Sequence, residues 1–91
     1  MTIVRIPPVL RVQAGDSKQV EAAGDSVAAL LDDLVGRHPG LREQLLASDG
    51  GLHRFVNIYL NGQDVRYLEG LSTAVRETDT VIILPAMAGG A

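Results

Sequence analysis

The sequence predicts an α+β domain, a mixed sheet of about five strands packed on one main helix. Three observations carry that prediction. Val27, Leu30, Leu31 and Leu34 recur at i, i+3, i+4 and i+7, one face of a helix. Phe55-Val56-Asn57-Ile58-Tyr59-Leu60 has strand composition and runs into Asn61-Gly62, the dipeptide that best tolerates the positive φ angles of a type I′ hairpin turn. Thr80-Val81-Ile82-Ile83-Leu84 is a continuous apolar run, expected to be buried on both faces near the sheet centre.

Each element follows from local chemistry. Ile3 to Val12 is rich in β-branched and aliphatic side chains, interrupted by Pro7-Pro8. Proline cannot donate to a ladder, so the first strand is expected to end or reach an edge there. Gly15-Asp16 reads as a turn, and Lys18 to Ala22 as a short strand completing an N-terminal hairpin. Gly24-Asp25-Ser26 supplies cap-type residues for the helix. Asp32 and Asp33 fall on its far side, and Gly36 and Pro39 close it near Arg37-His38. A shorter helical segment is expected at about Leu41 to Leu46, before the loop Ser48-Asp49-Gly50-Gly51. Asp64 to Tyr67 would be the strand returning from the Asn61-Gly62 turn, and Glu77-Thr78-Asp79 another turn. If the last strand lies at the sheet centre beside the first, the result is a β-grasp. The predicted organisation is a β-grasp domain over residues 1–85 and a flexible tail over residues 86–91.

Composition narrows the function classes. A chain of 91 residues is one domain, and 46% hydrophobic content argues against disorder. The net charge is −3, with eight basic residues scattered along the chain and Lys18 the single lysine. Neither a nucleic-acid nor a membrane partner is expected from that pattern. There is no cysteine, hence no disulfide framework, thiolate metal site or cysteine nucleophile. Met1-Thr2-Ile3-Val4-Arg5 does not resemble a signal peptide, and no apolar run approaches the ~20 residues that span a bilayer. A cytoplasmic location is the expectation.

Catalytic chemistry finds little support. His38 and His53 lie in different segments with no carboxylate or second histidine at a metal spacing, so no metal site is expected. Asp32 and Asp33 are adjacent on a helix and point in different directions, as a solvated face does. Ser26 and Ser72 lack a nucleophile-elbow context, and neither a P-loop nor a dinucleotide fingerprint is present. The chain does not read as an enzyme.

The end of the chain is the informative part. Pro85-Ala86-Met87-Ala88-Gly89-Gly90-Ala91 is small or flexible throughout except for Met87. Taken alone, such a tail is commonly a frayed terminus. It also suits another purpose. The residues Ala86 to Gly90 reach roughly 17 Å when extended, and glycine lets a backbone pass through a channel too narrow for side chains. A protein whose own terminal carboxylate is a substrate for another enzyme needs both properties.

The element order, the Asn61-Gly62 hairpin, the strand Thr80 to Leu84, Pro85 and Gly89-Gly90 together resemble the ubiquitin-like sulfur carriers of the ThiS/MoaD family. The stretch Leu52 to Gly62, with Asp64-Val65-Arg66 and Ile83-Leu84-Pro85-Ala86, is most similar to the CysO-type carriers of cysteine biosynthesis. The resemblance implies that an E1-like enzyme, using ATP and Mg, adenylates the carboxylate of Gly90. Sulfide or a persulfide would then displace AMP, and the resulting thiocarboxylate would give its sulfur to an acceptor on a synthase. It implies no bound cofactor and no catalytic residue in the carrier, with Ala88 and Gly89 threading the partner's active site. Carriers of this family serve cysteine, thiamin, molybdopterin and thiolated natural products.

One residue departs from the family pattern. Ala91 follows the Gly-Gly pair and locks Gly90 in a peptide bond, so either a protease, of the metalloprotease kind, removes it or Ala91 is an addition to the natural chain. Two alternatives use the same residues: a ubiquitin-like modifier conjugated through Gly90, or a β-grasp subunit whose tail is inert. For docking onto a partner, Phe55, Leu60, Leu84 and Pro85 are the candidates, with Leu60 expected to point outward beside its turn.

Overall fold

The computed structural model describes residues 1–48, 51–53 and 56–85. Five strands form one sheet: β1 (Thr2–Arg5), β2 (Gln19–Ala22), β3 (Val56–Leu60), β4 (Gln63–Asp64) and β5 (Thr80–Pro85), in the order β2-β1-β5-β3-β4. β5 is central. It runs parallel to β1, with Val4 opposite Val81, and antiparallel to β3, with Ile58 opposite Ile83. The two chain-terminal strands are thus neighbours in the middle, as the β-grasp prediction requires.

Helix α1 (Val27–Arg37) covers one face of the sheet with Val27, Leu30, Leu31, Leu34 and Val35, each at most 1% exposed. Burying a side chain of this size contributes about 1.5–3 kcal/mol. Ser26 caps the helix, its hydroxyl oxygen accepting from the Ala29 N–H at 3.1 Å. Just before it, Gly24 lies so close that a Cβ there would sit 2.5 Å from the Leu30 nitrogen. That close approach sets how the chain enters α1. A one-turn helix, α2 (Arg42–Leu45), follows the 3-10 turn Pro39–Leu41, and Leu41 and Leu45 join the core.

Two expectations are corrected and one is completed. The first strand ends at Arg5, just before Pro7-Pro8 as expected. Pro8–Ala14 continues as a 3-10 helix that the sequence reading does not assign, with Leu10 and Ala14 buried and Val9 and Val12 exposed. Pro8 starts it because a proline's fixed φ suits a first helical turn, where no backbone donor is required. The strand returning from the hairpin turn is only Gln63–Asp64. There the Asp64 carboxylate accepts from the Arg66 N–H at 2.9 Å and bends the chain into a 3-10 turn, Val65–Tyr67. Finally, β5 is covered on one face only. Val81 and Ile83 are fully buried, whereas Leu84 is 41% exposed and Ile82 half-buried, because α1 packs on a single side.

The Asn61-Gly62 turn forms as predicted, with φ of 50° and 89°. The main helix and the Glu77-Thr78-Asp79 turn also lie where the sequence placed them.

Candidate functional site

β5 delivers the C-terminal segment, so the site is built from the two ends of that strand and its uncovered face. At its start, hydrogen bonds lock the strand. The Asn61 amide donates to Asp79 Oδ1 at 2.9 Å, and Asn61 Oδ1 accepts from the Thr80 N–H at 2.9 Å. Asp79 Oδ2 accepts from the Arg76 N–H at 2.8 Å. The Arg76 N–H and then the Asn61 amide hold the Asp79 carboxyl below its ordinary range.

Along β5 the uncovered face is read from the register. Arg5 on β1 lies opposite Ile82, which lies opposite Tyr59 on β3, and Leu84 lies opposite Asn57. Arg66 clamps the beginning of β3. Its guanidinium donates to the Val56 carbonyl at 2.7 Å, to the His53 carbonyl at 3.4 Å and to Asn57 Oδ1. β3 is the partner that carries β5 to its last residue, through the pair Val56–Pro85. Arg66 therefore steadies the strand that pairs with the last residues of β5. Sequence reasoning missed this role, although the register of the Asn61-Gly62 hairpin already sets Arg66 opposite Asn57; the contacts to the Val56 and His53 carbonyls carry no sequence signal.

The predicted docking residues separate. Leu60 is 8% exposed and belongs to the core, so its outward orientation is corrected. Strand alternation explains it: Val56, Ile58 and Leu60 share the face under α1, leaving Asn57 and Tyr59 on the other. Leu84 does stand on the uncovered face. Phe55, the side chain of Pro85 and the tail residues Ala88, Gly89 and Gly90 lie outside the described residues.

The polar residues weighed earlier have structural partners. Asp33 accepts from the Ala23 N–H at 2.8 Å and from Arg37 Nε at 2.7 Å; the first contact, then the second, lowers its pKa. The His38 N–H caps α1 on the Leu34 carbonyl, and the His53 N–H donates to the Leu45 carbonyl. Among the described residues no three His, Asp or Glu side chains gather at a metal spacing, and no helix is long and apolar enough to cross a membrane.

A β-grasp sheet whose central strand is followed in the sequence by Gly89-Gly90 defines a class of small ubiquitin-like domains. The chain belongs to the ThiS family, whose model matches residues 4–90. It is 49% identical to the sulfur carrier protein CysO of Mycobacterium tuberculosis over 89 residues, 96% of each chain. A CysO chain solved in complex with BexX from Amycolatopsis orientalis superimposes with a TM-score of 0.90 at 44% identity, covering 99% of this chain and 100% of that one. Small archaeal modifier protein 3 of Haloferax volcanii is 35% identical over 65 residues, 71% of this chain and 70% of the relative.

Proposed function

We propose that this chain is a sulfur carrier, a protein substrate rather than a catalyst, with Gly90 as the point of attachment. The observation that carries the reading is the family match, which runs through the Gly-Gly pair and stops at Gly90. In this reading the Gly90 carboxylate attacks the α-phosphorus of ATP on an E1-like partner. Pyrophosphate leaves and an acyl-adenylate forms. Sulfide then adds to the acyl carbon and AMP departs, leaving a thiocarboxylate. Adenylation is needed because a carboxylate oxygen is a poor leaving group and AMP a good one. ATP and Mg belong to the partner, and the carrier contributes reach and recognition. The thiocarboxylate sulfur passes to an acceptor on a synthase; the complex of CysO with BexX supports a stable protein partner of that kind. An activating partner that consumes ATP is in keeping with a cytoplasmic carrier.

In this reading the active chain ends at Gly90, since a residue after it displaces the carboxylate by up to ~3.5 Å. A displacement of even ~1 Å at a reacting centre costs about 100-fold in rate. The test compares chains ending at Gly90 and at Ala91, each incubated with activating enzyme, ATP and sulfide. Intact mass should show one oxygen-to-sulfur exchange at least about 100-fold faster in the shorter chain. Equal rates would defeat this reading of the tail. Gly89→Val in the shorter chain should abolish the exchange while the circular dichroism spectrum stays unchanged.

The similarity to a small archaeal modifier favours a second reading, conjugation of Gly90 to a lysine amine. The same mass measurement separates the two, because a conjugate gains a whole partner protein.

A further inference from the structure

Where β5 ends, the 3-10 segment Pro8–Ala14 stands beside it and the two enclose a groove of about 390 Å³. Arg5, Pro8, Val9, Arg11, Lys18 and Leu84 are among the residues that line it. Two properties set the groove apart. Among the described residues its lining holds three cations and no carboxylate, in a chain whose net charge is −3. Among the described residues, neither Arg5 nor Lys18 has a carboxylate within ion-pair distance. The wall beside it is also apolar and exposed. Val9 and Val12 are 70% and 75% exposed, and residues three apart eclipse on a 3-10 helix, so the two side chains form one outward ridge.

The wall is held from beneath. Leu10 and Ala14 are buried, Arg11 Nε donates to the Ile6 carbonyl at 3.0 Å, and the Ile6 N–H donates to the Lys18 carbonyl at 2.9 Å. Two branched side chains kept in water on a rigid segment serve nothing in this fold. A preformed surface needs little ordering when a partner binds.

We propose that this groove is the docking site for an acidic, apolar segment of a partner protein. The ridge and Leu84 take its apolar side chains, and Arg5, Arg11 and Lys18 take its carboxylates. The proposal rests on the carrier reading in one respect: the groove adjoins the strand that leads to the tail, so the partner held there is the one that receives the tail. A cationic lining predicts attraction that weakens with salt, and unpaired cations disfavour basic surfaces.

The test is a titration of ¹⁵N-labelled protein with a short synthetic peptide of alternating Leu and Glu pairs. The same peptide with Lys in place of Glu serves as the comparison. Amide shifts should concentrate at Arg5, Val9, Lys18 and Leu84 and shrink at high salt, and the Lys peptide should leave them unmoved. Arg5→Glu combined with Lys18→Glu should raise the dissociation constant about tenfold or more, and Val9→Ser should also weaken binding, with spectral dispersion reporting an intact fold. Shifts centred on Asn57 and Tyr59, equal binding of the Lys peptide, or no binding at all would each overturn the proposal. The mass assay for the thiocarboxylate is independent of this titration. A chain that binds the peptide but never gains sulfur overturns the carrier reading and leaves the groove standing.

Discussion

The two ends of β5 are built differently. At the Thr80 end, Asn61, Asp79 and Arg76 satisfy one another with hydrogen bonds near 2.9 Å. At the Pro85 end, cations stand without carboxylates among the described residues, and valines stand in water. A folding domain gains from the first arrangement and not from the second. Satisfied polar groups mark where the chain is held, and unsatisfied ones where something else is expected.

The contrast can be broken most severely from the core. Leu60→Asp places a carboxylate among apolar side chains without a partner and should destabilise the domain by about 3 kcal/mol or more, measured by urea unfolding. A loss below ~1 kcal/mol would mean that Leu60 faces solvent after all. Next, Asn61→Ala removes both side-chain links to the start of β5 and a residue suited to positive φ. It should lower stability by about 1–2 kcal/mol while leaving binding at the far end unaltered.

Acid offers a gentler probe of the same end. Asp79 and Asp33 have pKa values lower in the folded chain than their ordinary 3.8, so the folded state binds fewer protons than the unfolded one. Their stabilisation is complete above that ordinary value and is lost as pH falls through the lowered folded value. Unfolding curves from about pH 5 down to pH 2 should show that loss, and Asp79→Asn should flatten it. The smallest effect belongs to the open end. Arg5→Glu with Lys18→Glu should change the unfolding free energy by less than about 0.5 kcal/mol. A larger loss would show that these cations hold the fold.

What the sequence revealed depended on the range of the forces involved. The helix face of Val27, Leu30, Leu31 and Leu34 and the Asn61-Gly62 turn arise from local periodicity and backbone preference, and both appear as predicted. The central place of β5 followed from its apolar run, although a single covering helix leaves Leu84 and Ile82 partly open. Leu60 was misplaced because the turn beside it is exposed, while strand alternation, counted from Ile58, puts it inside. The 3-10 ridge was hidden in a stretch of strand-like composition that two prolines redirect. Arg66 could have been placed near Asn57, because the register of the Asn61-Gly62 hairpin sets the two opposite each other. What the sequence did not mark is the clamp on the Val56 and His53 carbonyls, made where the chain leaves the ladder after Asp64.

The parallel pairing of β1 with β5 has a mechanical consequence. β1 begins and β5 ends at opposite ends of the sheet, and β5 is bonded along both edges. Tension on the tail therefore loads the hydrogen bonds to β1 and β3 together, in shear, instead of opening them one at a time like a zipper. Strands so placed are the last to open locally. A force applied at the Pro85 end would therefore meet a body that behaves as a fixed anchor.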